Sequence, residues 1–175
     1  MENKRLYDII QDYLTNGKKS EDFVGQLIEE LCGGTCEKST TNEDKLKHID
    51  IWWNSPKKGR LGIDVKGIKK NNRKDKEVDD SIHWIEIQGV TGYKGWIFGE
   101  MDYIAFITRK QVLFVKPCDL YGNILWNIAG KKLVYKCPKE CYVPYQRWRR
   151  KDIVVKVPTE DIECIAQFKL DYFLS

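Results

Sequence analysis

The chain has 175 residues, 42% of them hydrophobic and 12% aromatic, which excludes an intrinsically disordered chain and suits one domain with a packed core. No apolar run reaches the roughly 18 residues of a membrane-spanning helix, and no signal-peptide core follows Met1. A soluble, cytoplasmic protein without a membrane partner is therefore expected. The net charge of +4 is modest but unevenly spread: from Lys57 to Lys76 nine bases stand against two acids, Asp64 and Asp75.

In chain order, Leu6, Ile9, Ile10, Tyr13 and Leu14 predict a first helix over Lys4 to Leu14, ended by Thr15-Asn16-Gly17. Ser20 reads as the N-cap of a second helix, with Glu21 and Asp22 in its first turn. Phe23, Val24, Leu27, Ile28 and Leu31 form its apolar face, and Gly33-Gly34 stops it. At 100° per residue Glu29 lies nearly opposite that face, while Glu30 lies on its flank beside Phe23 and Leu27 and is the helix acid placed to reach inward. Thr35 to Lys47 reads as a short strand and a loop.

Two strands of a hairpin follow, His48 to Trp53 and Gly62 to Gly67, joined by a turn rich in Pro, Lys and Gly. Side chains on a strand alternate, so Ile63 and Val65 point one way and Asp64 and Lys66 the other. Asp50, flanked by Ile49 and Ile51, also opposes an apolar face. Two carboxylates and an ammonium on a buried sheet are costly to desolvate, which asks for a use.

Lys69 to Ser81 is charged and aperiodic, a loop. His83 to Gly89 reads as a strand with Ile85 and Ile87 inward and Trp84, Glu86 and Gln88 on its other face. Gly92 to Trp96 is a glycine-rich turn. Met101 to Thr108 and Gln111 to Lys116 predict an apolar hairpin, and Asp119 to Ile128 a short helix with Leu120, Ile124, Leu125 and Ile128 inward. The remainder reads as an edge extension: Leu133 to Tyr135, a basic aromatic loop from Tyr142 to Lys151, a strand over Ile153 to Val157, and a turn after Pro158. One domain over residues 1–175 is expected, with its core at about 20–130 and a C-terminal extension over 131–175.

Lys57, Lys58, Arg60, Lys69 and Lys70, with Arg149 and Arg150 of the second basic cluster, are the candidates for phosphate contacts. Trp148, set among arginines, is the aromatic best placed to stack on an unpaired base. Cys32/Cys36 and Cys137/Cys141 are Cys-x3-Cys pairs that together would suit a four-thiolate zinc site, although ordinary core thiols are the simpler expectation. His48 reads as a strand-entry residue.

Asp50, a hairpin turn and Asp64-Val65-Lys66 resemble the PD-(D/E)XK nuclease superfamily, with Ile49 where the motif has proline. The resemblance covers roughly Phe23 to Thr108, and Glu30 matches the helix glutamate of many members. It implies an α/β fold of the restriction-endonuclease-like type, a mixed sheet flanked by helices. It also implies a Mg²⁺-dependent DNA endonuclease, with Mn²⁺ able to substitute. Asp50, Asp64 and the backbone carbonyl of Val65 would hold the metal, and Lys66 would orient water or stabilise developing charge. Glu86 and Gln88 are additional candidates on a neighbouring strand. Holliday junction resolvases of archaeal type share the size and layout and often act as dimers, so branched DNA is the leading substrate, duplex DNA the next, and a homodimer is compatible. The alternatives are a catalytically silent nucleic-acid-binding module of the same fold and a zinc-stabilised interaction protein.

Overall fold

The structure is a computed structural model that describes residues 17–69 and 79–172. The helix expected over Lys4 to Leu14, Lys70 and most of the charged stretch before Ser81 lie outside the described residues. Among the described residues the chain is a mixed α/β protein with a six-stranded sheet, a three-stranded sheet and four α-helices. None of those helices is long and apolar enough to cross a membrane.

Helix α1 spans Gly17–Cys32 and packs Val24, Leu27 and Ile28 inward. Ser20 lies inside this helix, fully buried, so it is not the N-cap that the Ser-Glu-Asp run suggests. Leu31 is exposed, because the helix ends one residue later and has turned past the sheet there. Strand β1, Thr35–Lys38, is followed by helix α2, Thr41–Lys47, where a loop was expected. The signal for α2 is in the sequence: Thr40 caps the amide of Glu43 and the Glu43 side chain returns to the Thr40 amide, the Ser/Thr-x-x-Glu capping box.

Strands β2, Ile51–Ser55, and β3, Gly59–Lys66, pair antiparallel as the hairpin, with Ser55 opposite Gly59. The tip residue Gly59 has φ +76°, a conformation glycine adopts without a Cβ penalty, and the Ser55 hydroxyl accepts from the amides of Lys57 and Lys58. Strand β4, Ile82–Gln88, leaves this sheet and belongs to the second one. The chain then returns as β5, Tyr103–Ile107, parallel to β3, and turns into β6, Gln111–Val115. Helix α3, Pro117–Ile128, buries Leu120 and Ile124, whereas Leu125 faces solvent rather than inward.

The last quarter of the chain is more than an edge extension. It supplies β7, Tyr145–Gln146; β8, Ile153–Pro158; helix α4, Thr159–Ile165, in place of the expected turn; and β9, Phe168–Asp171. The large sheet has the order β1-β2-β3-β5-β6-β9, so β9 closes its far edge, and the small sheet has the order β4-β8-β7.

The large sheet is covered on both faces, which separates two cores. On one face α1 packs over Ile51, Trp53, Ile63, Ala105, Ile107 and Phe114. On the other, Ile104, Phe106, Leu113 and Val115 meet Ile85, Val155 and Val157 of the small sheet, with Leu120 of α3 and Ile162 of α4. A sheet buried on both faces explains why β5 and β6 read as unbroken apolar runs.

Candidate active site

The alternation along β3 decides what reaches which face. Ile63 and Val65 join the core under α1, and Asp64 and Lys66 project into the layer between the two sheets, opposite Ile104 and Phe106 of β5. Asp64 is only 2% exposed. Its Oδ1 accepts from the Lys66 ammonium at 2.6 Å, and its Oδ2 makes no hydrogen bond among the described residues. Lys66 in turn lies 4.4 Å above the ring of Trp96, a cation–π contact that fixes the ammonium from its other side. Trp96 opens a 3₁₀ turn, Trp96–Phe98, and Gly95 before it runs against the backbone of Glu86, where a Cβ has no room.

Asp50 stands just before β2 and is locked by three bonds across neighbouring strands. Its Oδ2 accepts the Val65 amide at 2.6 Å, its own amide donates to the Ile63 carbonyl at 2.9 Å, and its carbonyl accepts from the Ser39 amide at 3.0 Å. Strict alternation does not hold through this segment. His48 ends α2 in the left-handed region with φ 55°, which turns the chain so that Ile49 and Ile51 enter different cores. Ile49 lies over Gly62, where an added Cβ would come within 2.8 Å of Ile49 Cδ1. A side chain at Gly62 would displace Ile49.

The electrostatics follow from this burial. Desolvation pushes Asp64 up to about 7, against the pull of Lys66 and with the added push of the Asp50 charge. His48 is pushed down by burial and by Lys66, which places it at the margin of the same site. Glu21 of α1 is pushed up by burial and then by the Asp50 charge.

Glu30 is exposed and takes no part. The reason is helical geometry: nine residues put Glu30 about half a turn around from Glu21 and about 13 Å along the axis. The Phe23 flank on which Glu30 lies packs against Tyr172, beyond β9, with ring centroids 4.8 Å apart. The opposite flank faces β1, where Glu29 accepts the Cys36 amide at 2.6 Å.

Glu86 lies within electrostatic range of the site and of the basic loop at once. Burial and then Asp152 raise it, while Arg147, Lys66 and Lys69 lower it. Gln88 does not face the carboxylates; its side chain donates to the Lys151 carbonyl at 2.6 Å and ties the basic loop to the end of β4. Within that loop Arg147 pairs with the fully buried Asp152, and Gln146 donates to the Arg150 carbonyl at 2.8 Å. Arg149, Arg150 and Trp148 are left exposed, Trp148 at 77%.

Lys57, Lys58 and Arg60 are exposed at the other end of β3, at the hairpin tip. Lys58 donates to the Tyr103 hydroxyl at 3.2 Å, and Arg60 stacks 4.4 Å above Trp52. Four residues of strand, about 13 Å, separate Arg60 from Asp64. Lys69 lies within electrostatic range of the acids: its ammonium is pushed down by burial and by Lys66, and up by Asp64 and Glu86.

A hydrated divalent cation fits this arrangement. Two hard carboxylate donors converge, and one has a buried oxygen with no hydrogen bond. Among the described residues no group of three or more His, Cys, Asp and Glu side chains could share an ion. Asp50, Asp64 and the Val65 carbonyl are the groups that would hold such an ion. The two Cys-x3-Cys pairs do not come together. Cys32 and Cys36 pack into the core under α1 and Cys141 into the core on the other face, so the two pairs are separated by the large sheet.

One neighbour of the site, Trp96, carries no sequence signal beyond the glycine-rich turn that precedes it. Comparison of the chain with protein-family models, with curated proteins and with solved structures finds no match.

Proposed function

We propose that this chain is a Mg²⁺-dependent endonuclease that hydrolyses phosphodiester bonds of DNA, with Mn²⁺ able to substitute. Its arrangement is of the restriction-endonuclease-like, PD-(D/E)XK type. The observation that carries this reading is the convergence of Asp50 and Lys66 on the buried Asp64, one oxygen of which has no hydrogen-bond donor among the described residues. The hairpin that carries both acids, the parallel neighbour β5 and a helix across the opposite face support the fold assignment.

When bound between Asp50 and Asp64, a divalent cation would neutralise phosphate charge and make water more acidic. The side chains contribute the rest. Asp64 must be ionised, so its proton has to leave for the bulk before the site is competent. Lys66, held between Asp64 Oδ1 and the Trp96 ring, has protons left to donate to a phosphoryl oxygen or to an attacking water. It need not lose a proton to do so. Asp50, tied to the Val65 amide, sets the register of β2 on β3 and hence the separation of the two carboxylates. Exposed bases on the loop before β8 supply sequence-independent affinity for the backbone.

Branched DNA is the substrate we place first, and linear duplex second. The test is a cleavage panel of labelled linear, forked and four-way DNA with Mg²⁺ and Mn²⁺. Wild type is expected to cut at least one substrate, and Asp64→Ala and Lys66→Ala to lose cutting while retaining DNA binding. If wild type cuts none of them but still binds, the chain is a nucleic-acid-binding module of this fold.

A further inference from the structure

Beyond the Lys66 end of β3 lies a narrow cleft of which the nuclease reading uses Lys66 alone. It is lined by Lys66, Gly67, Lys69, His83, Trp84 and Phe106. His83 is 7% exposed, its ring stands 4.8 Å from that of Phe106, and its Nε2 makes no hydrogen bond among the described residues. A buried imidazole nitrogen without a partner carries a desolvation cost, and such groups in native proteins call for an explanation.

The surroundings say what would satisfy it. Burial drives the His83 pKa down to about 4, so the ring is neutral at physiological pH and offers one N–H and one lone pair. The nearby carboxylates are committed elsewhere: Asp80 Oδ2 accepts the Arg109 amide at 2.7 Å, and Asp79 Oδ1 accepts the Ser81 amide at 2.8 Å. The charges on the cleft wall itself are the two ammoniums, and one proton of Lys66 is already given to Asp64. Two ammoniums, a buried imidazole nitrogen without a partner and room for little more than an oxygen atom suit the edge of an anion rather than a whole ligand.

We propose that this cleft is a phosphate subsite, in which the Nε2–H of His83 and the ammonium of Lys69 hold a non-bridging oxygen of the phosphodiester next to the one presented to Lys66. Binding of phosphate stands on the cleft alone; the assignment to a neighbouring phosphodiester rests on the nuclease reading. The role of His83 is to position the backbone, not to take part in bond cleavage.

The probe is inorganic phosphate, titrated into metal-free protein with ¹⁵N-labelled imidazoles. The chain has two histidines, so a His48→Asn variant assigns both rings. Phosphate is expected to move the His83 Nε2 resonance saturably, and Lys69→Ala to weaken that binding about tenfold, the scale of one hydrogen bond to a charged group. His83→Asn should do the same; should it fail to fold, Lys69→Ala and the wild-type resonance still decide. A His83 signal unmoved by phosphate, or moved equally in Lys69→Ala, would overturn the proposal and leave the nitrogen to a bound water. Because this readout needs neither metal nor cleavage, a failure of the subsite and a failure of the nuclease reading are seen separately.

Discussion

At the scale of single residues, Asp64 is where stability and activity oppose each other. Its pKa in the folded chain is raised from 3.8 to about 7. A raised acid stabilises the fold below its unfolded pKa, and that contribution is lost as pH rises through the folded one. Above pH 7 the native state thus carries an ionised, buried carboxylate, at a cost on the order of 4 kcal/mol for a shift of this size. Asp64→Asn is accordingly expected to melt higher than wild type at pH 8, with the gap closing as pH falls toward 4, while cleavage is lost. Paired thermal melts at pH 8 and pH 5 would show it, and a variant less stable than wild type at pH 8 would sink the idea. The same proton competes with a cation. Mn²⁺ binding, followed by calorimetry, should tighten by up to about tenfold per pH unit below pH 7 and level off above it.

At the scale of elements, the loop between β7 and β8 divides its arginines by role. Arg147 neutralises Asp152, which is fully buried and has a second oxygen without a hydrogen bond among the described residues. Removing one partner of such a pair strands the other charge, so Arg147→Ala should lower stability by about 3 kcal/mol in a denaturant titration. Arg149 and Arg150 are exposed and pair with no acid among the described residues. Their double alanine variant should leave stability within about 0.5 kcal/mol of wild type. It should also weaken DNA binding and flatten the slope of log affinity against log salt by about 2. An unchanged slope would make this cluster ordinary surface.

For the whole molecule, β9 matters more than its place near the end of the chain suggests. Phe168 stacks on Phe114 with centroids 4.4 Å apart and planes at 8°, and it touches Trp53 and Tyr103 as well. Leu170 and Tyr172 complete the core under α1. A chain truncated after Gln167 would expose the edge of β6 and open this core, and is expected to lose its cooperative unfolding transition. Phe168→Ala, a milder change, should cost about 3 kcal/mol. Cooperative unfolding of the truncated chain at an unchanged midpoint would return β9 to the status of an appendage.

Much of this was legible in the sequence because it depends on local periodicity. The two-residue repeat of Gly62-Ile63-Asp64-Val65-Lys66 separated the acid and the lysine from the apolar face before any fold was known, and β4, β5 and β6 lie where their apolar runs put them. The Thr40-Glu43 capping box was equally local and announced α2 to a closer reading. What only the tertiary structure decided depends on which surfaces meet. Helix α1 carries acids on several flanks, and its seating between β1 and β9 left Glu30 exposed and Glu21 within electrostatic range of Asp50. Trp96 comes to Lys66 across thirty positions of chain, and Asp50 reaches the Val65 amide only because the chain turns at His48. Long-range approach of this kind leaves no periodic trace, since burial, not spacing, selects it. The pattern that first marked Asp64 and Lys66 as costly is thus a property of one strand; the partners that give the cost a use come from the rest of the fold.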